Sequence, residues 1–358
     1  MSNTEKENQN INHKFNSLSS KIALNFDKHN NLTFDGSYIE YTHGITTLGF
    51  GSIDRQWSLS NNTSLILSHN ARALKSIYLK LDNKIEYKWL PYIPSWSFEI
   101  FNGFTEGSLN GRKSMLLGMR AILSPNERLN IELVQTSQWG GDGYSNGRSA
   151  LASALIFDTN NSKNSNINKM AGFGISYTMQ GNIIPLRIYG QAIGEDEAGN
   201  LPSCYAYLAG LEVKAAKIKY PTIVSIEAID TRVDKTSNGY CGPNTMYNNS
   251  IYNYSNYGKA MGAEIDTEGT SLGLHIRSQI SQEINIDFTT KAVVINDNNW
   301  HDHRLSSKRQ KGLINMLGVT WTKNNINLNG SIYNQGFSLD KASIKNGHGI
   351  SVSSTIKF

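Results

Sequence analysis

Three consecutive acidic residues, Glu195, Asp196 and Glu197, are the densest set of groups that could act on a ligand. Clustered carboxylates can hold calcium or serve as acid and nucleophile in glycoside hydrolysis. Neighbouring side chains on an extended strand point to opposite faces, so only Glu195 and Glu197 can converge. A solvated acidic loop, hydrogen bonds to sugar hydroxyls, and ion pairs inside a protein need no convergence and suit the same residues. His301-Asp302-His303 has some character of a metal site, but two histidines at i and i+2 without further clustered ligands fit a solvated loop better. The two cysteines, Cys204 and Cys241, are too few for a disulfide framework and lack metal-ligand spacing. No phosphate-binding glycine loop or paired-cysteine motif occurs. The reading therefore contains no catalytic residue, no metal and no cofactor.

The elements that would position these groups are strands. At the carboxyl end Ile350, Val352, Ile356 and Phe358 alternate with Ser351, Ser353, Thr355 and Lys357, a period of two up to a terminal aromatic residue. The pattern recurs in Leu272 to Ile280, Ile284 to Phe288, Ile326 to Ile332, Leu129 to Leu133 and Ile184 to Ile188. Each run has one apolar face and one face of Arg, Asn, Gln, Glu or Tyr. Their length of about 10 residues suits a tilted bilayer crossing. Hydrocarbon penalises every unpaired backbone group, so such strands must close into a cylinder with the apolar face to lipid. The expected fold is all-β, a transmembrane antiparallel up-and-down barrel of about 16 to 18 strands. A tally along the chain gives about 17, starting at Ser20–Phe26, where an even number is expected. The strand missing from it is placed within Met246–Tyr254. Ser149–Phe157, rich in Ala and Leu after the Asn146-Gly147 turn, is predicted as one short helix in a connecting segment. Residues 1–16 read as a hydrophilic, disordered leader and 17–358 as one barrel domain without a linker.

Composition agrees with this. The 358 residues carry 34 Lys+Arg against 29 Asp+Glu, a formal charge of +5, and 39% are hydrophobic. With a mean hydropathy of −0.40, no window offers the roughly 20 apolar residues of a spanning helix. Seventeen Tyr, twelve Phe and six Trp argue against wholesale disorder. The basic balance suits an acidic polymer, yet the longest basic cluster is Lys308-Arg309-Gln310-Lys311, too little to predict nucleic-acid binding. Met1 to Asn16 has no apolar core of a signal peptide, which at face value means cytoplasm. The strand pattern points instead to an outer membrane.

Strand parity places the segments Asp54–Arg72, Thr105–Lys113, Trp139–Lys169, Gly194–Ser203 and Thr231–Tyr257 on one rim. Long loops normally face outward, so that rim is expected at the cell exterior. Cys204 and Cys241 both fall on it, and either a disulfide or two thiols is compatible with that position. Bulky Arg120, Arg187 and Tyr189 would face the lumen and block it.

Several stretches resemble the capsule assembly protein Wzi family. The most specific is Tyr189-Gly190-Gln191, then Gly194-Glu195-Asp196-Glu197-Ala198-Gly199, Leu201-Pro202-Ser203 and Leu208-Ala209-Gly210-Leu211-Glu212. Gln138-Trp139-Gly140-Gly141 with Gly143, Ala171-Gly172-Phe173, Asp230-Thr231-Arg232 and Ala260-Met261-Gly262 are also similar, and the likeness covers roughly Ile39 to Phe358. Two positions depart from it: Trp57 is followed by Ser58-Leu59-Ser60 rather than Gly-Pro-Gly, and Gly174 stands where the family often has Asp. The likeness also implies a signal peptide, amino-terminal helices and first strands that are not found in this sequence, as expected of a truncated chain or a misplaced start. The resemblance implies a non-enzymatic outer-membrane lectin that helps attach capsular polysaccharide to the cell surface. It also implies an acidic capsular polysaccharide and outer-membrane lipid as partners, with no nucleic acid and a monomeric chain. Stacking and hydrogen bonding to sugars single out Arg72, Trp139, Asp142, Glu195, Asp196 and Glu197. A diffusion channel, and a surface glycan hydrolase using Glu195 and Glu197, are the alternative readings.

Overall fold

The structure is a computed structural model and describes residues 17–26, 32–83, 93, 95–106, 113–155, 167–181, 184–198, 201–216, 218–236, 241–249 and 252–356. The expected leader at 1–16 lies outside them. In chain order the first strands are β1 (Ser17–Lys21), β2 (Asn25–Phe26), β3 (Leu32–Thr33), β4 (Tyr38–His43), β5 (Thr46–Ser52) and β6 (Lys75–Asn83). Next come β7 (Ser95–Phe104), β8 (Met115–Ser124), β9 (Leu129–Trp139), the helix α1 (Arg148–Leu155), β10 (Asn168–Met179), β11 (Leu186–Ala198) and β12 (Leu201–Ala215). The rest are β13 (Thr222–Asp230), β14 (Ser255–Asn256), β15 (Lys259–Ala260), β16 (Thr270–Gln279), β17 (Ile284–Ile295), β18 (Gln310–Lys323), β19 (Ile326–Gln335) and β20 (Gly347–Ile356).

Sixteen of these strands form one antiparallel sheet in which each pairs with the next in the chain, from β1 and β4 through to β20. β2–β3 and β14–β15 are separate two-stranded hairpins. The even count corrects the tally of 17. Among the described residues Met246–Tyr254 adds no strand to the sheet and carries the isolated bridge Asn248–Asn253, and Met246, Tyr247, Tyr252 and Tyr254 are buried. The first described sheet strand is Ser17–Lys21 rather than Ser20–Phe26, and the helix begins one residue earlier than expected, at Arg148, with Leu155 its last described residue.

The sheet turns the usual burial pattern inside out. Along β13, Ile226 is 50% exposed while its neighbours Ser225 and Glu227 are 4% and 3% exposed. Along β10, Phe173 and Ile175 are exposed while Ser176 is buried. A sheet facing water would hide the isoleucines. Facing hydrocarbon, it loses nothing by exposing them and must pair its polar groups on the inner side. No helix among the described residues is long and apolar enough to span a membrane; the crossing is made by strands.

Curvature follows from contacts. The single segment 53–74, between β5 and β6, bonds to side chains of β7, β8, β11, β12 and β13. Only a sheet wrapped around that segment can present all five strands to it. Connections 44–45, 125–128, 280–283 and 324–325 are tight turns at one end, whereas 53–74, 140–167, 231–269 and 296–309 lie at the other. The segments grouped by parity therefore share one rim.

Candidate functional site

Segment 53–74 turns inward and fills the lumen. Trp57, Leu65 and Ile66 are at most 1% exposed. Their backbone groups, removed from water, need partners, and the polar inner faces of the strands supply them. The Gln191 amide accepts from the Leu65 N–H at 2.9 Å and donates to the Trp57 carbonyl at 2.6 Å and to Glu132 at 3.0 Å. Arg120 donates to the Ser58 carbonyl at 3.1 Å and to Glu132 at 2.7 Å. Arg187 donates to the Leu59 carbonyl at 2.6 Å while its fork holds Glu212 through two 3.0 Å bonds. Glu227 accepts from Ser60 and from the Tyr189 hydroxyl. Glu99 accepts from the Trp57 indole at 3.3 Å and from Arg55 at 2.8 Å. The Arg55 guanidinium also lies 4.0 Å from the centre of the Phe101 ring. Gly118 permits this packing, since a Cβ there would run into the rings of Phe101 and Trp57. Arg120, Arg187 and Tyr189 thus obstruct the lumen by clamping a plug as well as by bulk.

A second layer seals the plug from the rim. The Tyr247 and Tyr254 hydroxyls donate to the Leu65 and Ile66 carbonyls at 2.6 and 2.8 Å, and their rings stack at 6.0 Å. Arg304 anchors this layer by donating to Asp266 at 2.7 Å and to the Tyr247 carbonyl at 2.9 Å. Burial would raise the Asp266 pKa, but the adjoining Arg304 guanidinium holds it below the ordinary carboxylate range. His303, buried against the Thr267 carbonyl, is pushed by desolvation below the ordinary histidine value. Its sequence neighbour His301 is exposed and contacts Asp302 at 3.1 Å. No group of three metal-ligating side chains occurs among the described residues. Cys204 and Cys241 form a disulfide that ties the start of β12 to the loop after β13.

The six sequence-selected residues do not form one constellation. Glu195 is 3% exposed; one carboxylate oxygen accepts from the Tyr247 N–H at 2.6 Å and the other from Asn168 at 3.3 Å. Trp139 is buried, its indole donating to Asn102 at 3.1 Å. Asp142 is exposed on the next turn, where its side chain and N–H bond to the Lys113 backbone at 3.3 and 3.1 Å. Gly141 makes that turn with a φ of +85°, and a Cβ there would strike the Lys113 carbonyl. The backbones of Asp196 and Glu197 belong to β11; their side chains lie outside the described residues.

Arg72 stands at an open cleft of about 740 Å³ on the same rim, together with Phe34, Asp35, Lys75 and Tyr257. Its guanidinium makes a two-pronged bond to Asp35 at 2.6 and 3.1 Å and lies 4.0 Å from the centre of the Tyr257 ring. Phe34 and Tyr257 are about half exposed. Lys75 reaches Glu106 at 3.4 Å from an exposed position. Aromatic faces beside Arg, Lys and Asp suit a hydroxylated, negatively charged ligand. Sequence reasoning selected Arg72 but missed Phe34, Asp35, Lys75 and Tyr257. The aromatic- and Asn-rich stretch around Tyr257 was the available signal, and it read as loop.

The model of the capsule assembly protein Wzi family matches residues 3–344. The chain belongs to that family. A Wzi-family fold is borne out by the solved structure of Escherichia coli Wzi, an outer-membrane protein involved in group 1 capsule assembly and a carbohydrate-binding β-barrel. The two superpose with a TM-score of 0.72 at 21% identity, over 92% of this chain and 70% of that one. An uncharacterized 55.8 kDa protein in the cps region of Klebsiella pneumoniae is 26% identical over 191 residues. That match takes in 52% of this chain and only 38% of the Klebsiella protein.

Proposed function

We propose that this Wzi-family barrel sits in the outer membrane of a Gram-negative bacterium and acts there as a lectin in capsule assembly. It binds acidic capsular polysaccharide at its long-loop rim, which faces the cell exterior, and performs no catalysis. The carrying observation is the rim cleft, where Arg72 lies over Tyr257 beside Phe34, Asp35 and Lys75. Family membership supports the capsule role. Lys75 and Lys113 share the single carboxylate of Glu106 and so leave a surplus positive charge for uronate or other acidic groups; Arg72, paired to Asp35, presents its remaining N–H groups, and exposed Phe34 and Tyr257 supply faces for sugar rings. Asp142, and Asp196 and Glu197 by their place on β11, extend the polar rim. Trp139 and Glu195 position the loops that carry it.

The alternative readings have less behind them. A diffusion channel needs an open lumen, and segment 53–74 fills this one. A hydrolase needs a carboxylate free to reach substrate, and both Glu195 oxygens already accept hydrogen bonds from Asn168 and Tyr247.

The test is a gene deletion in an encapsulated host, complemented with the parent chain or with an Arg72→Ala, Lys75→Ala double variant. Deletion should leave polysaccharide synthesis intact while moving polymer from cells to medium. The parent chain should restore attachment and the double variant should not. Unchanged cell-associated capsule in the deletion strain would refute the proposal.

A further inference from the structure

The lipid-facing wall is not uniform. Across β12, β13, β16, β17 and β18 the register aligns Tyr207, Asp230, Thr270, Val294 and Lys311 in one row. The next outward-facing row, two residues further from the long-loop rim, is Ala209, Ala228, Leu272, Ala292 and Leu313. Three alanines in that row leave a groove of about 670 Å³ between the large side chains of Tyr207, Leu272 and Leu313, each of which is more than half exposed. This volume is in the range of pockets that hold discrete small molecules, roughly 300 to 1,000 Å³. Its floor is apolar and lies within the membrane-spanning part of the wall.

The row above the groove is chemically different. Arg232 forks between Asp230 at 2.7 Å and Asp297 at 3.1 Å, and Arg309 reaches Asp297 at 2.6 Å. These two arginines and two aspartates neutralise one another. Lys311 makes no ion pair among the described residues and is exposed at the mouth of the groove. Tyr205 stacks on Tyr207 at a ring distance of 6.1 Å, and this aromatic pair on the same outward face marks the level of the membrane interface. The arrangement therefore presents an apolar slot running into hydrocarbon with a surplus positive charge at headgroup height, the complement of an anionic lipid.

We infer that this groove is a binding site for one anionic membrane lipid, with an acyl chain lying over Ala209, Ala228 and Ala292 and its phosphate against Lys311. The lipid comes from the leaflet level with the long-loop rim. The site is separate from the rim cleft and does not depend on which glycan is bound there. It also assigns a role to Lys311 of the basic cluster 308–311, which the lumen and the cleft leave unused.

Native mass spectrometry of the detergent-purified barrel, titrated with phosphatidylglycerol or phosphatidylcholine, tests the site. The parent chain should retain one phosphatidylglycerol several-fold more than phosphatidylcholine, and millimolar inorganic phosphate should not displace it. Lys311→Gln, a change at an exposed side chain, should abolish the preference while leaving a low, equal retention of both lipids. Ala228→Trp fills the slot and should lower retention of both at least tenfold, with heat-modifiable gel mobility reporting that the barrel is intact. Equal retention of the two lipids by the parent chain, no change on Lys311→Gln, or displacement by inorganic phosphate would each overturn the inference. The Lys311→Gln result decides the matter even where Ala228→Trp does not fold.

Discussion

Replacing Trp57 by Ala should release the plug. The indole is 1% exposed, meets Phe101 edge-on at 5.3 Å, and donates to Glu99 at 3.3 Å. Deleting a buried Trp costs about 3–5 kcal/mol through lost packing and the cavity left behind. Glu99 keeps its bond to Arg55, so no orphaned carboxylate adds to that. At 1.4 kcal/mol per tenfold change, the released form of segment 53–74 should gain roughly two to three and a half orders of magnitude in population. Trp57→Phe keeps a ring against Phe101 and loses the bond to Glu99 and some packing, so its effect should be much smaller, on the order of 1–2 kcal/mol. Hydrogen exchange of 53–74 in detergent reads this directly, and planar-bilayer recordings should show brief openings of Trp57→Ala where the parent chain is silent. Exchange protection in Trp57→Ala equal to the parent's would refute the claim that packing in the lumen holds the plug.

Other perturbations probe the same architecture. Gln191→Leu strands the Leu65 N–H inside the lumen, while the Trp57 carbonyl keeps the Ser64 hydroxyl; at about 1–3 kcal/mol for the buried orphan it should speed exchange at 57–66 without altering assembly of the barrel. Cys204→Ser removes the tie between β12 and the loop after β13; proteolysis should then cut that loop faster, while the heat-modifiable barrel persists. Acidification should loosen the sealing layer. His303 and Asp266 both have folded pKa values lowered from 6.5 and 3.8, so each binds fewer protons folded than unfolded. Stability is complete above those ordinary values and is lost as pH falls below 6.5 for His303 and below 3.8 for Asp266. Glu268, raised above 4.5 by burial, acts in the opposite sense near that pH, so exchange of 261–269 should rise first near the top of the His303 window and again below 3.8. A flat profile from pH 7 to 3 would contradict it.

The barrel was legible because lipid imposes a strict rule on every strand. Ile226 and Glu227 must point to opposite sides, and period-two alternation records that requirement in the residues themselves. Rim parity followed from the same count, which puts Cys204 and Cys241 on one rim but does not distinguish a disulfide from two thiols. The plug was not legible. Ser58-Leu59-Ser60 and Leu65-Ile66-Leu67 have no regular period, because an irregular segment inside a polar cylinder is held by individual bonds from Gln191, Arg120 and Arg187 rather than by a face. Met246–Tyr254 resembled a strand for a related reason: its aromatic residues are buried over the plug instead of facing lipid. Residue type marks Trp139 and Glu195 as suited to sugars, yet type alone does not tell that Asn102, Asn168 and Tyr247 already satisfy their polar atoms. Arg72 was selected without Asp35 or Tyr257, since nothing local in the sequence brings those three together.

The most direct test is a binding titration of the purified barrel in detergent against acidic capsular polysaccharide, followed by quenching of aromatic fluorescence. The account predicts saturable binding that weakens with added salt and is lost in the Arg72→Ala, Lys75→Ala variant, while a neutral glucan does not bind. Equal binding by the parent and the double variant, or none by the parent, would contradict it.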